Sequence, residues 1–425
     1  MEIKKLHKLF QNSCGVSTDT RKIKPDSIFF ALKGENFNAN DFAIEALEKG
    51  ASYAIIDEQP RKMKKQLILV HNVLQTLQEL ATYHRNYLGL PVLALTGSNG
   101  KTTTKELINA ALSRKYRTTA TVGNLNNHIG VPLTLLSMNK KTQIGIVEMG
   151  ANHQKEIEFL CKIAQPDYGY ITNFGKAHLE GFGSEEGVVK GKKELYDFLK
   201  EHQKMLFLNM DDPRQKEEKS YVRCYSFGED PEAELNLKYT KKDNFAGITT
   251  EELEVNSNLI GDYNARNLAA AFAIGKFFEV PAEEIKAGLE SYTPSNNRSQ
   301  IIEKNGQNII LDAYNANPTS MAAAIENLDS MDSGSKSVIL GDMFELGPLA
   351  EEEHQQLVNK ISDTSLEHVF LVGENFFKTE TPENIRKFKS FDDFREEFDP
   401  SETANSLLLI KGSRGMALER VLELL

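Results

Sequence analysis

A short loop near residue 100 has the residue types that bind a nucleotide phosphate. Residues 96–103 read TGSNGKTT and follow an apolar run that ends at Leu95. Backbone N–H groups of such a loop cradle phosphates, while Lys101 reaches the β- and γ-phosphates and the Thr102 hydroxyl binds Mg²⁺. The strict pattern has glycine at Leu95, so the match is to a shortened GKT core, and a glycine-rich turn that only caps a helix is the alternative. The predicted loop residues are Thr96, Gly97, Ser98, Asn99, Gly100, Lys101, Thr102 and Thr103.

Phosphoryl transfer also needs acids that hold Mg²⁺, and Glu148 is the first candidate. It ends an apolar run, and a carboxylate at the carboxyl end of a parallel strand faces the ligand crevice. His178 lies in a loop after the next strand, where spacing alone indicates a surface histidine. Lys192 lies in the basic stretch VKGKKELY, which by composition is a solvated helix face. A free ammonium about 4 Å from a divalent ion is repelled by about 8 kcal/mol at a dielectric of about 20, so a lysine beside Mg²⁺ must be neutral or chemically altered.

Alternating strand and helix patterns surround these residues and predict parallel sheets covered on both faces. A helix from Val73 to Leu88 separates the first such stretch from the phosphate loop. Residues 212–258 are polar and predict an antiparallel edge, and the composition turns loop-like near residue 296 before the alternation resumes. We therefore expect an α/β protein of three domains. They are a small N-terminal α/β domain (1–88), a central parallel-sheet P-loop domain of ATPase type (89–296) and a C-terminal Rossmann-like domain (297–425).

Length and composition exclude several classes of protein. The 425 residues are 40% hydrophobic and 26% charged, as in ordinary globular proteins, and no apolar run reaches the roughly 18 residues of a membrane helix. The three cysteines lack CxxC spacing, which argues against a disulfide framework or a zinc site. The net charge of −11 argues against a dedicated nucleic-acid coat. With no apolar signal-peptide stretch behind the first residues, we expect a cytoplasmic protein that needs no nucleic acid and no membrane.

Several motifs between Ser17 and Arg414 resemble those of the Mur ligases, the ATP-dependent amino-acid and peptide ligases of bacterial cell-wall synthesis. They are STDTR at 17–21, FALKGE at 30–35, the TGSNGKTT loop, NLNNHIGVP at 124–132, EMGANH at 148–153, HLEGF at 178–182, KKELY at 192–196, GDYNARN at 261–267, DAYNANP at 312–318, GDMFELG at 341–347 and KGSR at 411–414. The resemblance covers nearly the whole chain.

The resemblance assigns cofactor roles to specific residues. It makes Glu148 and His178 ligands of two Mg²⁺ ions and Lys192 a carbamylated lysine, with Lys190 and Lys193 close enough to compete for that assignment. The residues expected to bind ATP outside the loop are Asn264, Asn267, Arg298 and Asp312. Without the resemblance, Asn264 and Asn267 could cap a helix and Asp312 could form an Asx turn. Tyr263 stands where the family commonly has histidine, and Asn296-Asn297 replaces the usual Pro-Gly.

The resemblance also predicts substrate-binding residues. On the uridine side they are Ser17, Thr18, Arg21, Lys33 and Gly34. On the peptide side they are Asn126, Asn127, Tyr314, Asn315, Lys411 and Arg414, although Lys411 and Arg414 could simply be a solvated helix start. The NLNNHIGVP and NANP runs favour the family member that joins D-alanyl-D-alanine to UDP-N-acetylmuramoyl (UDP-MurNAc) tripeptide.

The expected reaction is therefore amide-bond formation by a monomer, driven by ATP through an acyl phosphate, with Lys101, Lys192, His178 and Arg298 as the catalytic residues. The third residue of the peptide, diaminopimelate or lysine, stays open. A folylpolyglutamate-type ligase is the nearest alternative, followed by a P-loop kinase that would keep the phosphate on a hydroxyl. A nucleotide-driven binding switch without bond formation is the third.

Overall fold

The computed structural model describes residues 1–60, 64–295 and 297–425. It confirms an α/β fold of three domains with sheets built mainly from parallel strands. Asn296, where the second domain boundary is predicted, lies outside the described residues, so both boundaries stay predictions. Within the described residues, no helix combines the length and the apolarity needed to cross a membrane.

The N-terminal domain is a four-stranded parallel sheet of order β1-β2-β5-β6 with helices on it. Its elements are α1 (Ile3–Gln11), β1 (Val16–Ser17), β2 (Ile28–Phe30), β3 (Lys33–Gly34), β4 (Phe37–Asn38), α2 (Ala43–Glu48), β5 (Tyr53–Ile56), β6 (Leu67–Leu69) and α3 (Val73–Leu88). The predicted helix over Val73–Leu88 is confirmed: Asn72 caps its start and Gly89, at φ 62°, ends it. Helix α3 packs on α1 on one side and on the central domain on the other.

The central domain contains a seven-stranded parallel sheet of order β13-β12-β11-β10-β7-β9-β8. Every residue of β7 and β9 is buried, because helices cover both faces of the sheet. The elements are β7 (Val92–Thr96), α4 (Lys101–Leu112), β8 (Thr118–Ala120), α5 (Gly130–Ser137), β9 (Ile144–Glu148), α6 (Glu156–Ala164), β10 (Tyr168–Ile171), α7 (Leu179–Phe182), α8 (Glu185–Glu201), β11 (Met205–Asn209), α9 (Pro213–Lys216), β12 (Cys224–Gly228) and β13 (Leu235–Asn236).

The antiparallel edge predicted over 212–258 is wrong in its position. The edge strands β12 and β13 pair in parallel, and the antiparallel strands form a separate three-stranded sheet. That sheet consists of β14 (Lys238–Lys242), β15 (Phe245–Thr249) and β16 (Glu254–Ile260), and it packs on α10 (Asp262–Phe277), which α11 (Ala282–Ser291) follows. Alternation of side chains predicts a strand but not its partner, which is why the sequence misplaced this sheet.

The C-terminal domain is a six-stranded sheet of order β17-β18-β22-β19-β20-β21, parallel except for β17. Its elements are β17 (Gln300–Lys304), β18 (Gln307–Asp312), α12 (Pro318–Ser330), β19 (Lys336–Gly341), α13 (Ala350–Ser362), β20 (His368–Val372), α14 (Glu374–Phe377), β21 (Ile385–Phe388), α15 (Phe391–Glu397) and β22 (Leu407–Lys411). The carboxyl ends of β18 and β22 face the phosphate loop of the central domain, and a cavity lies between the two domains.

Candidate active site

A cavity of about 1350 Å³ is lined by residues of the central and C-terminal domains. It lies beyond the carboxyl ends of β7, β9 and β10, where open parallel sheets bind their ligands. It collects most of the residues that the sequence predicts for nucleotide, metal and peptide. Those lining it are Ser98, Asn99, Gly100, Lys101, Thr102, Thr103, Asn126, Asn127, Glu148, His178, Asn264, Asn267, Arg298, Asp312, Tyr314, Asn315, Lys411 and Arg414.

The loop between β7 and α4 has a conformation that only glycine permits at two positions. Gly97 has φ 143°, and a Cβ there would lie 2.0 Å from the Thr172 hydroxyl oxygen. Gly100 has φ 78°, and its Cβ would lie 2.9 Å from Asn267 Oδ1. Thr172 Oγ1 donates to the Asn99 carbonyl at 2.6 Å and so ties the loop to β10. The loop is thereby fixed with its N–H groups at the start of α4, as phosphate binding requires.

Lys101 is folded back over this loop. Its Nζ donates to the carbonyl oxygens of Gly97 at 2.7 Å and Ser98 at 3.1 Å. Burial lowers the pKa of Lys101 to about 8, against the opposing attraction of Glu148. Carbonyl oxygens are weaker partners for an ammonium than phosphate oxygens are, so the side chain is free to exchange these bonds for a nucleotide.

Glu148 fits a metal site because half of its carboxylate is unsatisfied. The side chain is buried, and Oε1 accepts hydrogen bonds from Thr102 Oγ1 at 3.2 Å and from Asn126 Nδ2 at 2.7 Å. Oε2 has no hydrogen-bond partner among the described residues. A buried carboxylate oxygen without a donor is costly unless a cation pairs with it. The oxygen donors of Glu148 and Thr102 are the kind that Mg²⁺ prefers.

Lys192, on α8, is fully buried rather than part of the solvated face that composition indicates. Its Nζ donates to the Ala151 carbonyl at 3.1 Å and lies 4.9 Å from the centre of the Phe182 ring. Burial first, and then the charge of Lys101, hold the pKa of Lys192 well below its usual range. In contrast, Lys190 is exposed and Lys193 forms an ion pair with Glu217 at 2.9 Å. Of the three lysines, only Lys192 has the environment of a neutral amine.

His178 contacts the C-terminal domain across the cavity. Its Nδ1 is hydrogen-bonded to the Glu345 carboxylate, and this bond holds the pKa of Glu345 below its usual range. The described residues contain no cluster of three or more His, Cys, Asp or Glu side chains arranged as metal ligands.

Asn264 and Asn267, which are predicted to bind ATP, are linked to the first turn of α4, directly after the phosphate loop. Asn267 Nδ2 donates to Asn264 Oδ1 at 2.8 Å, and Asn267 Oδ1 accepts from Thr104 Oγ1 at 3.0 Å. Asn264 Nδ2 donates to the Ile260 carbonyl, so neither residue caps α10 in the usual way. Tyr263, which stands where the family commonly has histidine, is hydrogen-bonded through its hydroxyl to Ser299 Oγ at 2.9 Å.

On the opposite wall of the cavity, Asp312 connects Ser299, which directly precedes β17, to Lys411 at the end of β22. It accepts from the Ser299 N–H at 3.1 Å and pairs with Lys411 Nζ at 2.6 Å. Lys411 is buried at the end of β22, so the alternative of a solvated helix start is wrong for it, whereas Arg414 is exposed and pairs with Glu419. The Arg298 guanidinium stacks 3.6 Å from the centre of the Tyr314 ring.

The five predicted uridine-side residues lie outside the cavity, on the N-terminal domain. Arg21 pairs with Asp19 at 2.8 Å, and Lys33 pairs with Asp57 at 3.0 Å and Glu58 at 2.9 Å. Ser17, beside Thr18, donates to the Asp19 carbonyl, and Gly34 lies in the β3–β4 hairpin. The structure thus separates these residues from the phosphate loop.

Several residues of the C-terminal domain line the cavity without a role predicted from the sequence, and two of them contact predicted site residues of the central domain. Asn317 Nδ2 donates to Asn99 Oδ1 of the phosphate loop at 2.7 Å. Glu345 contacts His178. Both lie in motifs that the sequence makes visible, DAYNANP and GDMFELG, but their partners are 218 and 167 residues away along the chain.

Comparisons with known proteins show the family to which this chain belongs. The model of the Mur ligase middle domain matches residues 95–275, and that of the Mur ligase glutamate ligase domain matches residues 297–414. The UDP-N-acetylmuramoyl-tripeptide–D-alanyl-D-alanine ligase of Bacillus subtilis (strain 168) is 35% identical over 421 residues, covering 96% of this chain and 92% of that protein. This chain therefore belongs to the Mur ligase family.

Two solved structures of MurF, a member of this family, also superpose on this chain. MurF from Acinetobacter baumannii superposes with a TM-score of 0.85 at 31% identity, over 98% of this chain and 97% of that one. MurF from Thermotoga maritima in complex with ADP superposes with a TM-score of 0.83 at 28% identity, over 98% of this chain and 97% of that one. Both agree with the three-domain α/β architecture.

Proposed function

We propose that this chain is an ATP-dependent ligase that joins D-alanyl-D-alanine to UDP-MurNAc-tripeptide, forming the pentapeptide precursor of peptidoglycan. The observation that carries the proposal is a single cavity in which the phosphate loop, the half-satisfied Glu148 and residues of the C-terminal domain meet. The B. subtilis relative is named for this reaction, and the T. maritima structure holds ADP.

In the first step, a carboxylate oxygen of the tripeptide attacks the γ-phosphorus of ATP in line, and ADP leaves. The product is an acyl phosphate. Lys101 and Arg298 supply positive charge to the transferring phosphoryl group, which is where catalysis of phosphoryl transfer acts. For this, Lys101 exchanges its bonds to Gly97 and Ser98 for phosphate oxygens, and the loop N–H groups hold the β-phosphate.

Glu148 and Thr102 are the residues that hold Mg²⁺ in this proposal. A metal ion held by these two residues would supply positive charge beside the phosphates of ATP. Asn126, which donates to Glu148 Oε1, keeps that carboxylate oriented. It also joins the NLNNHIGVP segment to the metal-binding side of the cavity.

We further propose that Lys192 is carbamylated. A neutral amine adds to CO₂ and releases one proton, which gives a carbamate, and the burial of Lys192 favours the neutral amine. The carbamate is an anionic oxygen ligand, so it replaces the repulsion of an ammonium by attraction for a cation. With His178, the carbamate would supply ligands for a second Mg²⁺.

In the second step, the amine of D-alanyl-D-alanine attacks the acyl carbon, inorganic phosphate leaves and the amide bond forms. The amine must be neutral and close to the acyl group, which an enclosed cavity between two domains provides. In this proposal residues 1–88 bind the uridine nucleotide, residues 89–296 bind ATP and residues 297–425 bind the dipeptide. The enzyme acts as a monomer in the cytoplasm.

The test is release of phosphate from Mg-ATP in the presence of UDP-MurNAc-tripeptide, with and without D-alanyl-D-alanine, together with mass spectrometry of the nucleotide-linked product. We expect phosphate release to require both substrates and to match the pentapeptide formed. Tripeptides carrying diaminopimelate and lysine are compared to identify the third residue.

Other outcomes point to the alternative functions. Phosphate release that ignores both substrates contradicts the proposal and favours a binding switch. A stable phosphorylated product with no free phosphate favours a kinase. Turnover with a folate and glutamate instead of the cell-wall substrates favours the folylpolyglutamate-type ligase.

A further inference from the structure

The contact between His178 and Glu345 joins the central domain to the C-terminal domain at the rim of the cavity. We propose that Glu345 is a positioning residue that orients His178 as a metal ligand, so that this ligand is in place only when the C-terminal domain is closed. The inference rests on the proposed function, and it concerns a residue to which the sequence motifs assign no role. Four observations support it.

The first observation is the chemistry of the contact. An ionised carboxylate can only accept a hydrogen bond, so the Nδ1 of His178 carries the proton that it donates to Glu345. The remaining nitrogen, Nε2, then has the lone pair that a metal ion needs. Metal-binding histidines commonly donate their other N–H to a carboxylate, which fixes the tautomer and the direction of the ring.

The second observation is that both residues have an unusual backbone conformation. His178 has φ 53° and Glu345 has φ 62°, in the left-handed region that residues other than glycine rarely occupy. Such conformations persist where the surrounding structure enforces them, and they concentrate at functional sites. The two turns also share a backbone hydrogen bond, from the Glu180 N–H to the Glu345 carbonyl at 3.2 Å.

The third observation is that the turn carrying Glu345 is firmly held within its own domain. The Asp342 carboxylate accepts from the N–H groups of Asn375 at 2.9 Å and Phe376 at 3.0 Å. The Phe344 N–H donates to Ser413 Oγ at 2.9 Å. Glu345 therefore moves with the C-terminal domain and not independently of it.

The fourth observation is that the loop carrying His178 is held by the C-terminal domain at a second place. The Lys176 N–H donates to Thr319 Oγ1 at 2.9 Å, and Lys176 Nζ pairs with the buried Glu353 at 2.7 Å. Closure of the C-terminal domain thus fixes the loop at Lys176 and the ring at His178 together. This links the assembly of the metal site to the arrival of the domain proposed to bring the dipeptide.

The experiment measures metal binding with Mn²⁺ as the probe, by electron paramagnetic resonance of the full chain with ADP present. The variants are Glu345→Ala, Glu345→Gln, His178→Ala and the Glu345→Ala/His178→Ala double variant. The matched control is Glu351→Ala, which removes an exposed carboxylate from the same domain. Thermal unfolding of each variant shows that the fold is retained.

We expect Glu345→Ala and His178→Ala each to weaken Mn²⁺ binding by about tenfold or more, the usual effect of losing a residue that orients a metal ligand. Glu345→Gln keeps an oxygen acceptor and recovers part of the affinity, and Glu351→Ala leaves it unchanged. Glu345→Ala has no further effect when His178 is already alanine, because it acts through that ring.

A direct readout is the tautomer of His178, from ¹⁵N spectra of histidine-labelled protein with His178→Ala used for assignment. We expect the proton on Nδ1 in the native protein and a shift to Nε2 in Glu345→Ala. An unchanged tautomer, wild-type Mn²⁺ binding by His178→Ala, or an additive loss in the double variant overturns the inference. Pentapeptide synthesis by the native protein is assayed separately, so failure of the ligase proposal is distinguishable from failure of this one.

Discussion

Lys192 shows how burial changes the chemistry of a single side chain. Of the neighbouring lysines, Lys190 is exposed and Lys193 is ion-paired with Glu217, whereas the Lys192 amine is fully buried and forms no ion pair with a carboxylate of the described residues. Burial disfavours the ammonium, and a neutral amine is both unable to repel a cation and able to react with CO₂. The same helix provides a control in the exposed Lys190.

The prediction at this scale is that the carbamate can be seen and assigned to one lysine. Native protein in ¹³C-bicarbonate should give a carbamate signal by NMR, and Lys192→Ala should lose both this signal and at least about 100-fold of the ligase rate, because the proposed metal ligand is removed. Lys190→Ala should keep both. A signal that survives Lys192→Ala would assign the modification to another lysine.

Sequence patterns predict the positions of the site residues better than they predict the burial and the partners of their side chains. The order of motifs was enough to predict Lys101, Thr102 and Glu148 at one cavity, because each lies at or shortly after the carboxyl end of a strand of the same parallel sheet. Burial of Lys411 was not predictable in this way. Its partner Asp312 is 99 residues away and meets it only because β18 and β22 are neighbours in the sheet.

At the scale of elements, α1 is attached to α3 by a buried pair of histidines. His7 Nε2 and His84 Nδ1 are 2.9 Å apart, and His84 Nε2 is hydrogen-bonded to the Met138 carbonyl of the central domain. The rings of Tyr83 and Tyr87 pack against His7. Burial, together with the charge of His84, lowers the pKa of His7 to about 4.

The prediction is that this attachment weakens in acid. Between about pH 6.5 and 4 the unfolded chain binds a proton at His7 that the native chain does not, so stability falls as the pH falls through this window. His84, whose pKa burial also lowers, acts in the same direction. We expect His7→Gln to lose fewer degrees of melting temperature between pH 7.5 and pH 5 than the native protein.

The matched control is His71→Gln, which changes an exposed histidine of the same region. It should keep the native dependence of the melting temperature on pH. Equal dependence in His7→Gln and the native protein would show that other groups cause the acid sensitivity.

At the scale of the whole molecule, several polar contacts join the C-terminal domain to the central domain near the cavity. One of them is the ion pair of Lys176 with Glu353, whose side chain is only 7% exposed. Because the cavity is lined from both domains, weakening closure should affect every ligand that bridges them.

We therefore expect Glu353→Gln to raise the KM values for ATP and for the dipeptide together, by roughly 5–10-fold, which corresponds to about 1–1.4 kcal/mol. Glu352→Gln, at the exposed neighbouring position, should leave both unchanged. Steady-state kinetics with each substrate varied in turn provide the measurement. A change confined to one KM would indicate a local effect and not a change in closure.

The hydrogen bonds between helix α3 and the central domain affect the order in which the substrates come together. Thr82 donates to the Ile163 carbonyl, and Arg85 donates to the Gln165 carbonyl and to the Asp167 carboxylate. Helix α3 is therefore bonded to α6 and to the segment between α6 and β10 in the central domain. On the proposed division of substrates, the domains that bind the tripeptide and ATP are joined through α3, and the dipeptide comes with the third domain. When that domain closes, it brings the dipeptide amine to the site and excludes water at the same time. The activated acid is then exposed to hydrolysis for a shorter time.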